Sequence, residues 1–554
     1  MYKINFRHTR RFQEIINAFL KHGFGHVLFR LGLTNRKSSK LDNAEMNMQD
    51  MGIRLRKTLQ DLGPAFIKLG QVASSRRDLI PEQISVELAK LQDHVTPIPF
   101  AKVREIIEME LEAPLENLFI RFNEEPLAAA SIGQVHVAEL PTGEKVAIKV
   151  QRPDIRQTIN KDLAILRDLV GYLEDNVEWA KRYCLRDMID EFARSLNDEL
   201  DYRVEARNAD RIAKQFMEDT TIHIPSIYED YSTEKVLTME MIEGIKVNDY
   251  EQLDTKGYDR KVIAARITDS LLHQMFVAGF FHGDPHPGNI YILPGNVIAY
   301  LDFGMVGRLS EDMKYHFASL VIHLRSGDTK ALMRTFYAME IISDETDLRS
   351  FKRDVEDLQS KYYDIALTEV SLGTVFLELF QVAYRHHIQV PSDITMLGKA
   401  VLTSEGLLAE LDPDISIMKS VEPFGKRLIV ERYNPKNLLE RSWDGMVENF
   451  EIISHLPKDL KAIANTVKKG KVQLDINVQQ VQIFLNRFDR ISNRLSLSII
   501  LLSFSILMVG LIVGASIAGQ TNRLWHFPVL EVGSVVATLM FLYLIISIFR
   551  SGRM

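Results

Sequence analysis

Cysteine is nearly absent from this chain, and so is any excess of basic charge. Cys184 is the single cysteine among 554 residues, so a disulfide framework within the chain is impossible and a cysteine-rich metal site is excluded. A lone thiol fits a reducing compartment. The formal net charge is −7, which gives no indication of a nucleic-acid partner. The chain is too long for one hydrophobic core, so we expect two or more domains.

Long uncharged runs are confined to the C-terminal end. There, residues 495–518 carry no charge and residues 527–549 carry only Glu531. At about 1.5 Å per helical residue, each run is long enough to cross a bilayer. We therefore predict a two-helix transmembrane hairpin over residues 495–549, with two buried core helices as the alternative.

Arginines flank both runs and indicate the orientation of the hairpin. Three precede the first run, two follow the second and one lies in the polar link: Arg487, Arg490, Arg494, Arg550, Arg553 and Arg523. The positive-inside rule then places the large N-terminal part and the extreme C-terminus in the cytoplasm. We expect a multi-pass protein of the cell membrane. Within the first run, Gly510 and Gly514 permit close helix contact, which leaves a homodimer open.

The first 45 residues form a basic segment with an apolar stripe. Phe12, Ile15 and Phe19 fall near helical spacing among several lysines and arginines. Such an amphipathic helix can lie on an anionic membrane surface, and the alternative is a helix packed on the domain. We predict a helical extension over residues 46–116, within which a Gly-Pro pair begins one helix.

One stretch near the middle of the chain carries the side chains of a phosphoryl-transfer site. Residues 281–304 read FHGDPHPGNIYILPGNVIAYLDFG, with Asp284 in a tight polar loop, Asn289 five residues later and Asp302 at the end of an apolar strand. Phosphoryl transfer requires a carboxylate beside the attacking group, and an amide and a second carboxylate that bind Mg²⁺ on a nucleotide. We predict Asp284 as a catalytic residue and Asn289 and Asp302 as the metal ligands.

The same loop has a competing interpretation as a metal site of His282, Asp284 and His286. Two histidines four residues apart can share a metal when they lie on a helix. Pro285 and Pro287 preclude a helix here. We therefore expect the two histidines to shape the loop through hydrogen bonds.

A β-rich region with inserted helices, residues 117–245, precedes this stretch. The segment PLAAASIGQVHVAELPTGEKVAIKV predicts two strands joined by a turn. Lys149 lies inside the second strand, where its charge needs a partner or a ligand; a side chain that reaches solvent is the alternative. We predict that Glu205 holds Lys149 and that Lys149 holds the nucleotide phosphates. On an ideal helix Asp201 and Glu205 share a face, whereas Glu199 points elsewhere.

The order of these features is that of a bilobal kinase. A loop of small side chains, a strand lysine, a helix glutamate, a linker strand, a Gly-Asp-x-x-x-x-Asn loop and an Asp-Phe-Gly follow one another along the chain. Residues 246–485 are mostly helical and would form the second lobe and a helical tail. We predict an α+β, bilobal protein-kinase-like fold with an N-terminal helical extension and a C-terminal transmembrane hairpin.

On these motifs the chain resembles the UbiB/AarF (ADCK-type) atypical kinases of the protein-kinase-like superfamily, over about residues 45–420. The family's KxGQ motif stands at Lys68 to Gln71, and its ExD motif stands at Glu199 to Asp201. Ordinary protein kinases have neither motif. The resemblance implies that the KxGQ helix packs over the cleft and meets the ExD residues, so that Lys68, Gln71, Glu199 and Asp201 form a regulatory cleft.

The resemblance also implies a nucleotide site and partners. An alanine-rich loop replaces the usual glycine-rich one, and the implied nucleotide contacts are Ala128, Ala129, Ala130, Ser131, Gly133, Lys149, Glu240 and Ile242. The implied cofactors are ATP and Mg²⁺. The implied role is the support of isoprenoid quinone (ubiquinone-type) biosynthesis at a membrane, with membrane lipid and quinone-pathway lipid intermediates or enzymes as partners. No nucleic-acid partner is expected.

The small-residue loop and the charged motifs bear on the phosphoryl acceptor. Alanines restrict backbone angles that glycines allow, and a bridge from Lys68 to Glu199 and Asp201 would close the cleft to peptides. We therefore expect ATP hydrolysis, or transfer to a non-protein or lipid-linked acceptor. Two alternatives stay open: a nucleotide-binding scaffold without turnover that organises membrane biosynthetic enzymes, and a small-molecule kinase of the aminoglycoside or choline type. KxGQ, ExD and the predicted hairpin argue against the second.

Overall fold

The computed structural model describes residues 9–33, 47–91, 96–177, 185–339, 346–363 and 370–421, together with scattered positions beyond these ranges. The chain divides into two units, residues 1–442 and 443–554, and the elements below belong to the first. Among the described helices, none is long and apolar enough to cross a membrane. The hairpin predicted over residues 495–549 lies almost wholly outside the described residues.

Helices form the N-terminal extension. They are α1 (Thr9–Lys21), α2 (Gly25–Arg30), α3 (Met48–Leu62), α4 (Pro64–Ser75), α5 (Glu82–Leu88), α6 (Phe100–Glu110) and α7 (Leu115–Leu118). Helices α1 and α3 to α5 share one apolar cluster, and α6 and α7 pack on the antiparallel sheet that follows. The Gly-Pro pair begins α4 as predicted, because Gly63 takes a φ of 95° and Pro64 occupies the first helical position. Phe66 and Ile67 on α4 are buried between α3 and α5.

The basic helix α1 packs on the rest of the extension. Ile15 is buried, and Phe12 and Phe19 pack against the same apolar cluster as α3 and α4. The Arg11 guanidinium lies 2.8 Å from the buried carboxylate of Asp162. The packed-helix alternative therefore holds for this apolar stripe, and contact of the basic segment with a membrane stays a prediction.

An antiparallel sheet forms the β-rich lobe. The strands of the described chain are β1 (Arg121–Phe122), β2 (Ala128–Ala129), β3 (Gly133–Glu139), β4 (Lys145–Gln151), β5 (Ile222–His223), β6 (Val236–Glu240), β7 (Ile245–Lys246), β8 (Phe280–His282), β9 (Ile290–Leu293), β10 (Val297–Tyr300) and β11 (Val306–Arg308). The lobe sheet has the order β1-β3-β4-β6, with β2 paired to β3. Along β4, Val146, Ile148 and Val150 are fully buried, so strand alternation turns Lys149 to the opposite face of the sheet.

Helices inserted between β4 and β6 account for the long separation of Lys149 and Glu205. They include α8 (Ile155–Asn176), α9 (Leu185–Glu199) and α10 (Tyr202–Gln215). The helical conformation is interrupted between α9 and α10. There, Asp201 has an extended backbone and caps α10 by accepting a hydrogen bond from the Arg203 N–H at 3.1 Å. The expectation that Asp201 and Glu205 share a face of one helix is therefore wrong.

The second lobe combines helices with a small mixed sheet. Its described helices are α11 (Tyr250–Thr255), α12 (Arg260–Leu272), α13 (Glu311–Ser326), α14 (Thr329–Ala338), α15 (Leu348–Tyr362), α16 (Leu372–Arg385) and α17 (Ser392–Leu411). The sheet has the order β5-β10-β9-β7, and β8 pairs separately with β11. The loop from β8 to β9 carries Asp284 and Asn289, and the turn from β10 to β11 carries Asp302. The predicted catalytic residues thus lie in the short connections between these strands.

Candidate active site

His282 fixes the loop that carries Asp284. The imidazole is buried, its Nδ1 accepts a hydrogen bond from the Asp284 N–H at 3.1 Å, and its Nε2 donates to the Leu301 carbonyl at 3.0 Å. These partners require the neutral ring with its proton on Nε2. Burial lowers the pKa of His282, which favours the same neutral form. His282 therefore ties the loop of Asp284 to the segment after β10 that carries Asp302.

The remainder of the loop is held by its own polar groups. Asn289 Nδ2 donates to the Asp284 carbonyl at 3.3 Å, and His286 Nδ1 accepts from the Gly288 N–H at 2.9 Å. Within the described residues, no three or more histidine, cysteine or acidic side chains are grouped so that they could hold a metal. Backbone hydrogen bonds occupy both ring nitrogens of His282 and Nδ1 of His286, so His282 has no nitrogen left for a metal and the histidines shape the loop as expected.

Lys149 lies between two carboxylates. Its Nζ donates to both oxygens of Glu205 at 2.9 and 2.8 Å, and Asp302 Oδ1 is 3.8 Å away. The Tyr202 ring also faces the ammonium, with 5.2 Å between Nζ and the ring centroid. Burial lowers the pKa of Lys149, but Asp302 and Glu205 outweigh burial and raise the pKa well above its usual value. The lysine is therefore charged at neutral pH.

Asp302 occupies a strained turn and faces the cleft. Its φ of 60° lies in the left-handed region that side chains other than glycine rarely adopt. Its Oδ1 accepts from the Gly304 N–H at 3.3 Å, and Asn208 on α10 donates to the Phe303 carbonyl at 3.0 Å. Lys149 lowers the pKa of Asp302 to about 2, against the opposing effect of burial. With 53% of its side chain exposed, Asp302 presents an ionised carboxylate to the cleft.

The small-residue loop is a tight turn between β2 and β3. Residues Ala128–Ala129 pair with β3, and the Ala130 N–H donates to the Gly133 carbonyl at 2.8 Å. Arg152 Nε donates to the Ala130 carbonyl at 2.9 Å. The Ser131 side chain is buried. The loop is thus closed by its own hydrogen bonds and by the arginine that directly follows β4.

Gly133 is required by the close approach of Tyr202. A Cβ added at Gly133 would lie 2.3 Å from the Tyr202 hydroxyl oxygen and 2.7 Å from the Val150 carbonyl oxygen. Tyr202 follows the ExD motif directly and begins α10, yet its ring fills the space between the loop and Lys149. The sequence motifs did not identify Tyr202 as a member of this site.

The KxGQ helix α4 meets the first acidic residue of ExD, as the resemblance implies. Lys68 Nζ lies 2.5 Å from the Glu199 carboxylate, and the two side chains are 17% and 24% exposed. Gln71, one turn after Lys68, donates from Nε2 to the Leu91 carbonyl at 3.2 Å. The Lys68–Glu199 ion pair joins α4 to the end of α9.

The second acidic residue of ExD does not join this bridge. Asp201 forms an ion pair with Arg203 at 2.8 Å, in addition to its role as the cap of α10. The hydrogen bond to Arg203 lowers the pKa of Asp201. The expectation that Lys68 bridges both acids is therefore corrected: the break between α9 and α10 separates the two carboxylates.

A cavity of about 660 Å³ brings seven of the sixteen predicted site residues together. Its lining includes Lys68, Gln71, Ala129, Glu199, Asp284, Asn289, Asp302 and Lys399. Of the eight implied nucleotide contacts, Ala129 alone is among these lining residues, and Lys149 and its partner Glu205 are not. Glu240 ends β6 with its carboxylate 3.0 Å from His223 Nε2, and Ile242 is buried just after it. Their contact with a nucleotide stays a prediction.

A second residue of the site, Lys399, was missed by the sequence motifs. Lys399 on α17 places its Nζ 3.1 Å from Asp284 Oδ1, and both residues line the cavity. No motif marks this lysine, because it lies on a helix far along the chain from the loop that it contacts.

Family models match three parts of the chain. The ABC1 atypical kinase-like domain matches residues 90–336, the UbiB helical domain matches residues 355–416, and the ABC1/UbiB kinase-like C-terminal domain matches residues 479–550. The first contains the loop of Asp284, and the second contains Lys399. The candidate active site is therefore assembled from two of the matched domains and from α4, which precedes both.

Individual relatives cover most of the chain. An uncharacterized protein in the hydrogenase 1 5′ region of Clostridium pasteurianum is 30% identical over 554 residues, which are 98% of this chain and 99% of the relative. A probable protein kinase UbiB of Pseudomonas aeruginosa is 36% identical over 413 residues, 74% of this chain and 77% of its own. The solved complex of Rv3197 with erythromycin from Mycobacterium tuberculosis is 24% identical, covers 69% of this chain and 96% of its own, and has a TM-score of 0.48. The chain belongs to the UbiB/ADCK family of atypical kinases.

Proposed function

We propose that this protein binds Mg-ATP and either hydrolyses it or transfers its γ-phosphoryl group to a non-protein or lipid-linked acceptor. The observation that carries the proposal is the cavity itself, which Asp284, Asn289 and Asp302 line together. Lys149 and Glu205 form an ion pair beside Asp302. A base, two oxygen ligands and a phosphate-binding cation are the parts that phosphoryl transfer requires.

The donor set fits Mg²⁺. An amide oxygen and an ionised carboxylate are hard oxygen ligands, which Mg²⁺ prefers over nitrogen or sulfur. The Asn289 Nδ2 donates a hydrogen bond to the Asp284 carbonyl, so the Asn289 Oδ1 remains available to bind a cation. Asn289 and Asp302 would hold the ion, which would neutralise charge on the phosphates.

The protein side chains divide the remaining tasks. Lys149, oriented by Glu205, binds phosphate oxygens of the nucleotide. Asp284 orients the acceptor hydroxyl or water and takes its proton, and the hydrogen bond from its N–H to His282 fixes the backbone from which it acts. Asp302 stays ionised because Lys149 lowers its pKa. Each task falls to a group that the fold already holds in place.

The position of α4 supports a non-protein acceptor. The Lys68–Glu199 pair lies on the cavity wall, and α4 packs against α8, α9 and α17. The segment after α4 is held to the second lobe, because the buried Asp78 accepts from the Val390 N–H at 3.2 Å and Arg76 donates to the Val390 carbonyl at 3.3 Å. Because α4 packs on three helices and the segment after it is held to the second lobe, α4 narrows the cleft, and a peptide strand would have to displace it.

A role in isoprenoid quinone biosynthesis at a membrane completes the proposal, and it rests on family membership. A strain that lacks the gene should lose quinone, measured by chromatography and mass spectrometry, and the wild-type gene should restore it. The Asp302→Asn variant should not restore it, whereas Asp210→Asn should, because Asp210 is an exposed residue on α10 that pairs with Lys214. Unchanged quinone in the deletion strain would contradict the pathway. Restoration by Asp302→Asn would favour the scaffold without turnover.

A further inference from the structure

A lysine outside every motif lies against the predicted catalytic aspartate. Lys399 Nζ is 3.1 Å from Asp284 Oδ1, and the side chains of Lys399 and Asp284 are 26% and 27% exposed. Both line the cavity together with Asn289 and Asp302. An ammonium group has three N–H donors. The pair is therefore sheltered by the protein and still open to an anion that enters the cavity.

Helix α17 holds Lys399 in place. Its neighbours on the helix are packed into the second lobe: Leu397, Gly398, Ala400 and Val401 are buried. Met396, one turn before Lys399, packs on the catalytic loop, because a Cβ added at Gly283 would lie 2.7 Å from the Met396 sulfur. Thr403, one turn after Lys399, also lines the cavity. The lysine is thus presented by a packed helix that contacts the loop of Asp284.

The charges around Asp284 indicate what this lysine does. Lys149 is paired with Glu205 and Asp302, and Lys68 is paired with Glu199. The loop from residue 282 to residue 289 contains no lysine or arginine. A carboxylate beside the γ-phosphate repels the phosphate oxygens. A cation is therefore needed at this end of the cavity, and Lys399 supplies it from another helix.

We propose that Lys399 is a catalytic residue that binds the transferred γ-phosphoryl group, an inference that rests on the proposed phosphoryl-transfer function. In the reaction, the bond between the γ-phosphorus and the oxygen that bridges it to the β-phosphorus breaks, and ADP leaves with that oxygen. A bond from the γ-phosphorus to the acceptor oxygen forms, and the acceptor proton passes to Asp284. The Lys399 ammonium donates hydrogen bonds to the phosphoryl oxygens, which carry the negative charge of the transition state.

The test uses the full-length protein in detergent, with Lys399→Met and Lys399→Arg as variants. The matched control is Lys361→Met, since Lys361 is a 60% exposed lysine on α15 that pairs with Glu378. Mg-ATP turnover gives kcat and KM, and titrations give Kd for ADP and for a non-hydrolysable β,γ-imido ATP analogue. We expect Lys399→Met to lower kcat by about 100-fold. It should weaken binding of the analogue by about tenfold while ADP binding stays within about twofold.

The control should behave as wild type, and Lys399→Arg should regain part of the lost rate because it keeps the positive charge. A kcat of Lys399→Met within about threefold of wild type overturns the proposal. An equal loss of ADP and analogue binding also overturns it, because ADP has no γ-phosphate and such a loss is structural. If circular dichroism shows that Lys399→Met does not fold, Lys399→Gln takes its place under the same criteria.

The binding data separate this inference from the function on which it rests. If the wild-type protein releases no phosphate from Mg-ATP, phosphoryl transfer fails as the function. Weaker binding of the ATP analogue by Lys399→Met, with ADP binding unchanged, would then still support a γ-phosphate contact by Lys399. Unchanged binding of both nucleotides would overturn that contact as well.

Discussion

The Lys68 ammonium lies 2.5 Å from the Glu199 carboxylate, and this pair joins the KxGQ helix to the end of α9. Both side chains are largely sheltered from solvent, so their attraction is screened less than that of a surface ion pair. Asp201, two residues after Glu199, instead caps α10 and pairs with Arg203. The two acids of one motif therefore have separate physical roles: one holds α4, and the other begins α10.

Replacing each acid should separate these roles. Glu199→Gln removes the charge that holds Lys68, so amide hydrogen exchange in α4 should become about tenfold faster. Asp201→Ala removes the helix cap and should cost about 1 kcal/mol of unfolding free energy, with exchange in α4 unchanged. Exchange followed by mass spectrometry, together with denaturant unfolding, measures both effects. An equal increase in the amide exchange rate of α4 in the two variants would contradict the separate roles of Glu199 and Asp201.

Lys149 and Glu205 should show the cost of an unpaired buried charge. Lys149→Met leaves the Glu205 carboxylate buried without its partner and should cost about 3 kcal/mol of unfolding free energy near pH 7. Burial raises the pKa of Glu205 against the pull of Lys149. Without the lysine that pKa rises further above the unfolded value, so the loss should be smallest at low pH and grow as the pH rises.

The control for this prediction is the double variant Lys149→Met with Glu205→Gln. The glutamine carries no charge at any pH, so the double variant should recover part of the lost stability and lose the additional pH dependence. Urea unfolding between about pH 5 and pH 8 spans the range in which a raised carboxyl pKa acts. A loss that shrinks as the pH rises would refute this account of the pair.

Gly133 should resist substitution because of Tyr202. Gly133→Ala places a methyl group against the Tyr202 hydroxyl and the Val150 carbonyl and should cost about 1–3 kcal/mol. Tyr202→Phe alone should be nearly neutral, because the buried hydroxyl has no hydrogen-bond partner among the described residues. In the double variant part of the cost should disappear, since one of the two close contacts is removed. Thermal unfolding of the four proteins checks this; strictly additive effects would count against the contact.

Two neighbouring arginines on α1 offer a matched comparison. Arg11→Ala leaves the buried Asp162 carboxylate without its ion pair and should cost about 3 kcal/mol. Arg10→Ala should change the unfolding free energy by less than about 0.5 kcal/mol, because Arg10 is 95% exposed and its ion pair with Glu14, one turn away, is at the surface. Denaturant unfolding measures both variants. Similar losses would show that α1 does not depend on the Asp162 contact.

Local chemistry explains why much of the site could be predicted from the sequence. Asp284, Asn289 and Asp302 are separated by short loops and one hairpin, so their spacing alone brings them to one side of the cavity. A charged lysine in an apolar strand requires a partner, and Glu205 is that partner. The start of α4 follows from a Gly-Pro pair, which limits the backbone directly. Each of these inferences depends on neighbours in the chain or on one physical requirement.

Tertiary packing explains what the sequence did not reveal. Lys399 reaches Asp284 from a helix in another matched domain, and nothing in the pattern of α17 distinguishes it from a surface lysine. Asp201 and Glu199 appear as one motif, yet the chain turns between them. The stripe of α1 has the pattern of a membrane-lying helix, and only the packing of Ile15 and the contact of Arg11 show that the protein covers it.

The most direct measurement of the central claim is phosphate release from Mg-ATP by the purified protein. The wild-type protein and the Asp210→Asn control should release phosphate at equal rates, and omission of Mg²⁺ should stop release. Asp302→Asn should lower the rate by about 100-fold or more, because it removes an ionised ligand from the proposed Mg²⁺ site. Equal rates in wild type and Asp302→Asn would contradict catalysis at this site.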